Sequence, residues 1–150
     1  MNVMADPHAD RKAWMSLLAK ATAADLARLW GGVEAPDYTY LRAPEIGGVM
    51  VRGRAGAVGA AFNLGEMTVT RCSLKLACGT VGHAYVQGRN KDHAVQAALI
   101  DALMLTDRAD DIRQAVLAPL EQALTAAKTQ RAAKAAATKV DFFTMARGED

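Results

Sequence analysis

The chain has 150 residues, 51% of them hydrophobic, with 18 Lys and Arg set against 16 Asp and Glu. That length supports one domain over residues 1–150 with a real core. The balanced charge argues against a general nucleic-acid or anionic-membrane binder, which carries a strongly basic patch or tail.

No apolar run reaches the length needed to span a bilayer. Residues 1–12 are polar and hold no apolar signal core, so a cytoplasmic protein is the simplest expectation. Cys72 and Cys78 form no C-x-x-C pair and read as reduced thiols. They are too few for a four-cysteine zinc site or an iron–sulfur cluster. His8, His83 and His93 show no metal-ligand spacing, so no metal is expected.

Asp6 followed by Pro7 looks like a helix N-cap with proline at the first helical position. Trp14, Leu17, Leu18 and Ala21 then recur at helical spacing. Thr22-x-x-Asp25 is a capping-box-like restart, Leu26, Leu29 and Trp30 continue the apolar face, and Gly31-Gly32 ends it. Trp14 and Trp30 suit ligand stacking, but on an amphipathic helix they more often pack in a core or against a partner. Pro36 opens a turn, and 38–42 reads as a strand that Pro44 closes.

The central stretch, 41–76, holds most of the glycines. Residues 49–52 are a short strand signal. Gly53, Gly56 and Gly59 follow at every third position, as in a loop that needs positive φ or close backbone approach. They match no phosphate-loop motif. Residues 62–65 are a turn candidate. From Glu66 to Leu76 alternation puts Thr68, Thr70, Cys72, Leu74 and Leu76 on one strand face and Arg71 on the other, beside Val69 and Ser73. Arg52, Arg54 and Arg71 can then converge on one side of a hairpin, where arginine forks suit phosphate or carboxylate. The competing reading is a solvated sheet edge, or pairing with Glu45 and Glu66.

Residues 78–82 read as a turn and 83–87 as a further strand. Arg89 lies in the turn before a helix that Asn90 caps. Ala94, Val95, Ala98, Leu99, Ala102 and Leu103 give that helix an apolar stripe. Asp101 sits beside the stripe in a structural role, capping, or pairing an arginine such as Arg89, or else faces water. Asp110 starts another helix with Ile112, Val116, Leu120 and Leu124 on one face, which Pro119 should break or kink. Residues 124–138 are alanine- and lysine-rich, helical by propensity but with little to bury. Residues 140–145 change character, with Phe142 and Phe143 marking either a terminal strand or an exposed arm that docks on another subunit. No nucleophile motif or acid–base carboxylate pair stands out. The fold class is therefore α+β: amino-terminal helices, a central mostly antiparallel sheet with a glycine-rich hairpin, and carboxy-terminal helices with a terminal strand or arm.

Several stretches then occur in order: WMSLLAKA, RAPEIGGVMVRGRAG, FNLGEMTVTRCSLKL, GHAYVQGRNKDHAVQAALIDALM and KVDFFTMARGE. Together they resemble the phosphonate metabolism family PhnG, a component of the bacterial carbon–phosphorus lyase system, over nearly the whole chain. The family tends to read G-G-x-G-x-P before the phenylalanine. Here residues 56–61 depart from it, and Ala57 would be strained if that position needs positive φ.

The resemblance implies a cytoplasmic component of a two-fold symmetric core complex with PhnH, PhnI and PhnJ. With PhnH, PhnI and the nucleotide-binding PhnL it implies a part in transferring the ribose 5-triphosphate of MgATP to an alkylphosphonate, with release of adenine. This chain binds no cofactor of its own on that reading, and MgATP is a substrate of the complex. Catalytic groups lie mainly on PhnI, and PhnJ later cleaves the carbon–phosphorus bond by radical iron–sulfur chemistry, a division that suits the cysteine count. Arg52, Arg54, Arg71 and Arg89 are candidate anion-binding or interface residues, and Phe142 and Phe143 candidate interface residues. The alternative is a non-catalytic binding module for a phosphorylated metabolite.

Overall fold

The computed structural model describes residues 8–140. The Asp6-Pro7 signal and Phe142 and Phe143 lie outside that range. The chain forms α1 (Ala9–Lys20), α2 (Ala23–Trp30), β1 (Tyr38–Arg54), β2 (Ala61–Leu76), β3 (Val81–Gln87), α3 (Lys91–Leu103), α4 (Ala109–Ile112) and α5 (Ala118–Ala137). The strands make one antiparallel sheet in the order β1-β2-β3, and the fold is α+β.

Local chemistry sets many of the boundaries. The Thr22 hydroxyl accepts from the Asp25 amide at 3.1 Å, and α2 ends at Gly31. Asn90 caps α3 by accepting from the His93 amide at 2.9 Å. The alternation holds over 70–76: Thr70, Cys72, Leu74 and Leu76 are buried, while Arg71 and Lys75 are exposed; Val69, on the outer face, is buried as well.

The strands are longer than their sequence signals. Pro44 does not close the first strand, because β1 is an edge strand and an edge tolerates a missing amide. Register shifts fall between Tyr40, Arg42 and Glu45 instead. Residues 62–65 are no turn but part of β2, and Gly82 is no turn residue but part of β3. The hairpin tip is a 3-10 turn, Ala55–Ala57, in which Gly56 takes φ +60. The left-handed residue is thus a glycine, and Ala57 escapes the expected strain.

The core lies between one sheet face and the helices. Leu74, Leu76, Ala84 and Val86 pack with Leu99, Ile100 and Leu103 of α3, Leu18 of α1 and Leu26 of α2. Gly82 marks the closest approach of α3 to β3: an added Cβ would sit 2.0 Å from the Ala98 carbonyl oxygen. The buried His93 ring bonds the Leu18 carbonyl at 2.9 Å, tying α3 to α1.

Pro119 does not break its helix. Arg113–Leu117 forms a single π turn, and the Ala118 amide bonds the Arg113 carbonyl five residues back. Widening this turn relieves the clash of the proline ring with the carbonyl four residues before it. Ile112, Val116 and Leu120 remain buried on one face.

Candidate functional site

On the outer sheet face, Glu45 lies opposite Arg71 across β1 and β2. Its carboxylate accepts from Arg42 at 2.6 Å and from the Arg71 guanidinium. Arg42 and Arg71 hold the Glu45 carboxyl below its ordinary range. Arg71 also shares a cavity of about 340 Å³ with Glu45, Gly47, Val69 and Tyr85. An anion arriving there would compete with the resident carboxylate for the same guanidinium.

Ser73 and His83 form a pair that the sequence reading missed, with Oγ 2.8 Å from Nδ1. The two lie directly opposite each other in the register of β2 against β3. The pair is exposed, and among the described residues no carboxylate hydrogen-bonds the ring to orient it as a general base. It acts as a cross-strand contact.

The other arginines stand apart. Arg52 lies opposite Asn63 and Arg54 opposite Ala61, at the hairpin tip. Arg54 donates to the Gly59 carbonyl at 3.3 Å. Along β1, Glu45 and Arg52 are separated by about 23 Å at strand rise, so Arg71 does not converge with Arg52 and Arg54. Arg89 is exposed in the turn between Gly88 and Asn90, where β3 ends.

Among the described residues Asp101 is the best-tied carboxylate, and it is wholly buried. It accepts from Arg11 Nε at 3.1 Å, Arg11 Nη2 at 2.7 Å, Trp14 Nε1 at 2.8 Å and the His83 amide at 2.9 Å. Its role is structural, but its arginine is Arg11 and not Arg89. It joins α1, β3 and α3, and Trp14 is a core residue held by its indole N–H.

Two surfaces bury nothing. No residue of β1 is buried, and β2 is exposed from Ala61 to Met67. The hairpin beyond the end of β3 is therefore a bare two-stranded ribbon with Met50, Phe62 and Leu64 in solvent, and Ile46 is exposed just before it. Near its base Tyr38 and Tyr40 pack edge-to-face at 5.3 Å. The second surface is the distal half of α5, where every residue over 125–137 is exposed. Residues 125–140 carry Lys128, Arg131, Lys134 and Lys139 and no acid.

Among the described residues, no group of three or more His, Cys, Asp or Glu side chains is placed to hold a metal ion. No described helix is long and apolar enough to cross a membrane.

The profile of the family described as phosphonate metabolism protein PhnG matches residues 9–148. A curated protein of Rhizobium meliloti (strain 1021), alpha-D-ribose 1-methylphosphonate 5-triphosphate synthase subunit PhnG, is 42% identical over 143 residues. The alignment covers 95% of this chain and 92% of that protein.

Proposed function

This chain belongs to the phosphonate metabolism protein PhnG family, and we propose that it is a non-catalytic subunit of an alpha-D-ribose 1-methylphosphonate 5-triphosphate synthase. In that complex the ribose 5-triphosphate of MgATP passes to an alkylphosphonate and adenine leaves. The partners are PhnH and PhnI, with PhnL for this step and PhnJ in the core complex, working in the cytoplasm.

The near full-length likeness to a synthase subunit carries this reading. The bare ribbon and the bare half of α5 support the subunit role, because surfaces of that kind are built to meet another chain. Arg52, Arg54 and Arg89 belong to contact surfaces on this view, and Arg71 to the sheet through Glu45. Phe142 and Phe143 supply aromatic anchors in an otherwise alanine-rich end and dock on a neighbour.

A stand-alone module for a phosphorylated metabolite would gather its cations round one cavity. Arg71 is instead tied to Glu45, with Arg52 and Arg54 at the far end of the ribbon.

Co-expression of this chain with PhnH, PhnI, PhnJ and PhnL tests the reading. The expected result is recovery of this chain in fixed stoichiometry with the others. Elution as a monomer that binds MgATP unaided in calorimetry would contradict it and favour the binding module.

A further inference from the structure

β1 is an edge strand, and its amides and carbonyls that do not face β2 point outward. The opposite border of the sheet is covered, because α1 packs on β3. Pro44 and the register shifts between Tyr40, Arg42 and Glu45 blunt the first part of the β1 border. From Ile46 onward it is open. Between Val51 and Arg52 the register steps one residue on β1 and two on β2, so the extra residue, Leu64, belongs to β2. β1 keeps its own alternation across that point: Met50, Arg52 and Arg54 are exposed, while Val49, Val51 and Gly53 are half-buried. Met50, Arg52 and Arg54 therefore share one face with Ile46 and Gly48.

Two charges on that face have no ionic partner among the described residues. One is Arg52. The other is Glu66 of β2, which lies opposite Met50 and leans over Gly48, with Oε2 3.7 Å from where a Cβ of Gly48 would sit. An occupant of the border must therefore place an acid at Arg52 and a base at Gly48, two positions four residues apart. The chain outside residues 8–140 does not carry that pattern. Residues 1–7 hold one acid, Asp6, and no Lys or Arg. Residues 141–150 hold Asp141, Arg147, Glu149 and Asp150, and none of these acids is four positions from a base.

The border does carry it. When two copies pair antiparallel about residue 50, Arg52 faces Gly48 of the second copy, over which that copy's Glu66 leans, and the contact is mutual. Side chains directly opposite start about 5 Å apart, within reach of an arginine. Met50 then meets Met50 at the axis, and Ile46 lies beside the aliphatic stem of Arg54. This covers apolar side chains that are 50% and 40% exposed in the single chain. Charge also fixes the register. Pairing about residue 48 would bring the two Glu66 carboxylates together over adjacent Gly48 residues, where like charges repel.

We propose that the border of β1 over residues 46–54 binds a second copy of this chain, joining two three-stranded sheets into one with two symmetric Arg52–Glu66 ion pairs. Each bare ribbon gains a third strand, without which it is only marginally stable in water. The inference uses the ribbon alone and can fail without touching the subunit reading.

Sedimentation of the full chain over a concentration series tests it, with charge reversal at each position. The wild-type chain should dimerise. Arg52→Glu and Glu66→Arg should each weaken the dimer at least about tenfold, because each turns two attractive pairs into two repulsive ones. An equimolar mixture of the two variants should dimerise again, since a heterodimer restores opposite charges at both contacts. In a Cys78→Ser background, Met50→Cys should form a disulfide between two copies on mild oxidation, in the free chain and in the co-expressed complex. A wild-type chain that stays monomeric, single variants that dimerise as well as wild type, or a mixture that stays apart would each overturn the proposal. A cross-link from position 50 to a different subunit would also overturn it and make the occupant a partner's strand, with the subunit reading intact.

Discussion

Asp101 shows how much a single buried carboxylate can organise. Its two oxygens receive four donors, from Arg11, Trp14 and the His83 amide, so the charge is compensated although fully buried. An asparagine would keep the shape but turn an NH₂ toward donors at one oxygen position. Asp101→Asn should therefore destabilise the free chain by about 3 kcal/mol, read from its urea unfolding midpoint. A loss below about 1 kcal/mol would mean that the network contributes little beyond packing. The sequence marks Asp101 as a carboxylate beside an apolar stripe and suggests a structural role. It does not reveal Arg11, because that partner lies 90 positions away and arrives only when α1 crosses the border of β3. Glu45 was legible as a partner for Arg71, since acids near strand arginines commonly pair with them. Arg52 and Arg54 were misplaced beside Arg71 because residue type carries no information on position along a ribbon.

At the scale of elements, side-chain alternation and capping residues were the readable signals. Thr22, Asn90 and positions 70, 72, 74 and 76 of β2 acted as their chemistry dictates. The errors have one physical source, which is context overriding local breakers. Pro44 sits on an edge, Pro119 follows a π turn, and Gly82 is in a strand because α3 leaves no room for a side chain. The distal half of α5 was read correctly as helix with little to bury. That exposure makes a clear prediction. Ala132→Pro should lower helical circular dichroism, yet leave the urea midpoint of the free chain unmoved, whereas proline inside a packed helix costs about 3 kcal/mol or more. Recovery of the complex should fall, because the basic helix is then bent away from its partner. A shifted midpoint would show that residues 125–137 pack against the chain itself.

At the scale of the molecule, the α+β layout follows from amphipathic helices flanking alternating strands, and the core forms where both patterns point. Function was not legible from chemistry alone, because the chain carries no catalytic constellation that residue types disclose. The family was legible in the ordered run of stretches that resemble PhnG, and the match over residues 9–148 bears out the family. The bare ribbon was hidden for a related reason: a sequence shows apolar residues without saying which of them a partner covers. Its exposed Met50, Phe62 and Leu64 make sense on a subunit and little sense on a chain that works alone. The most direct measurement is adenine release from MgATP and methylphosphonate by PhnH, PhnI and PhnL, with and without this chain. Ribosyl-phosphonate is expected to form only when the chain is present. Product formed at the same rate in its absence would contradict the claim that it is a required subunit.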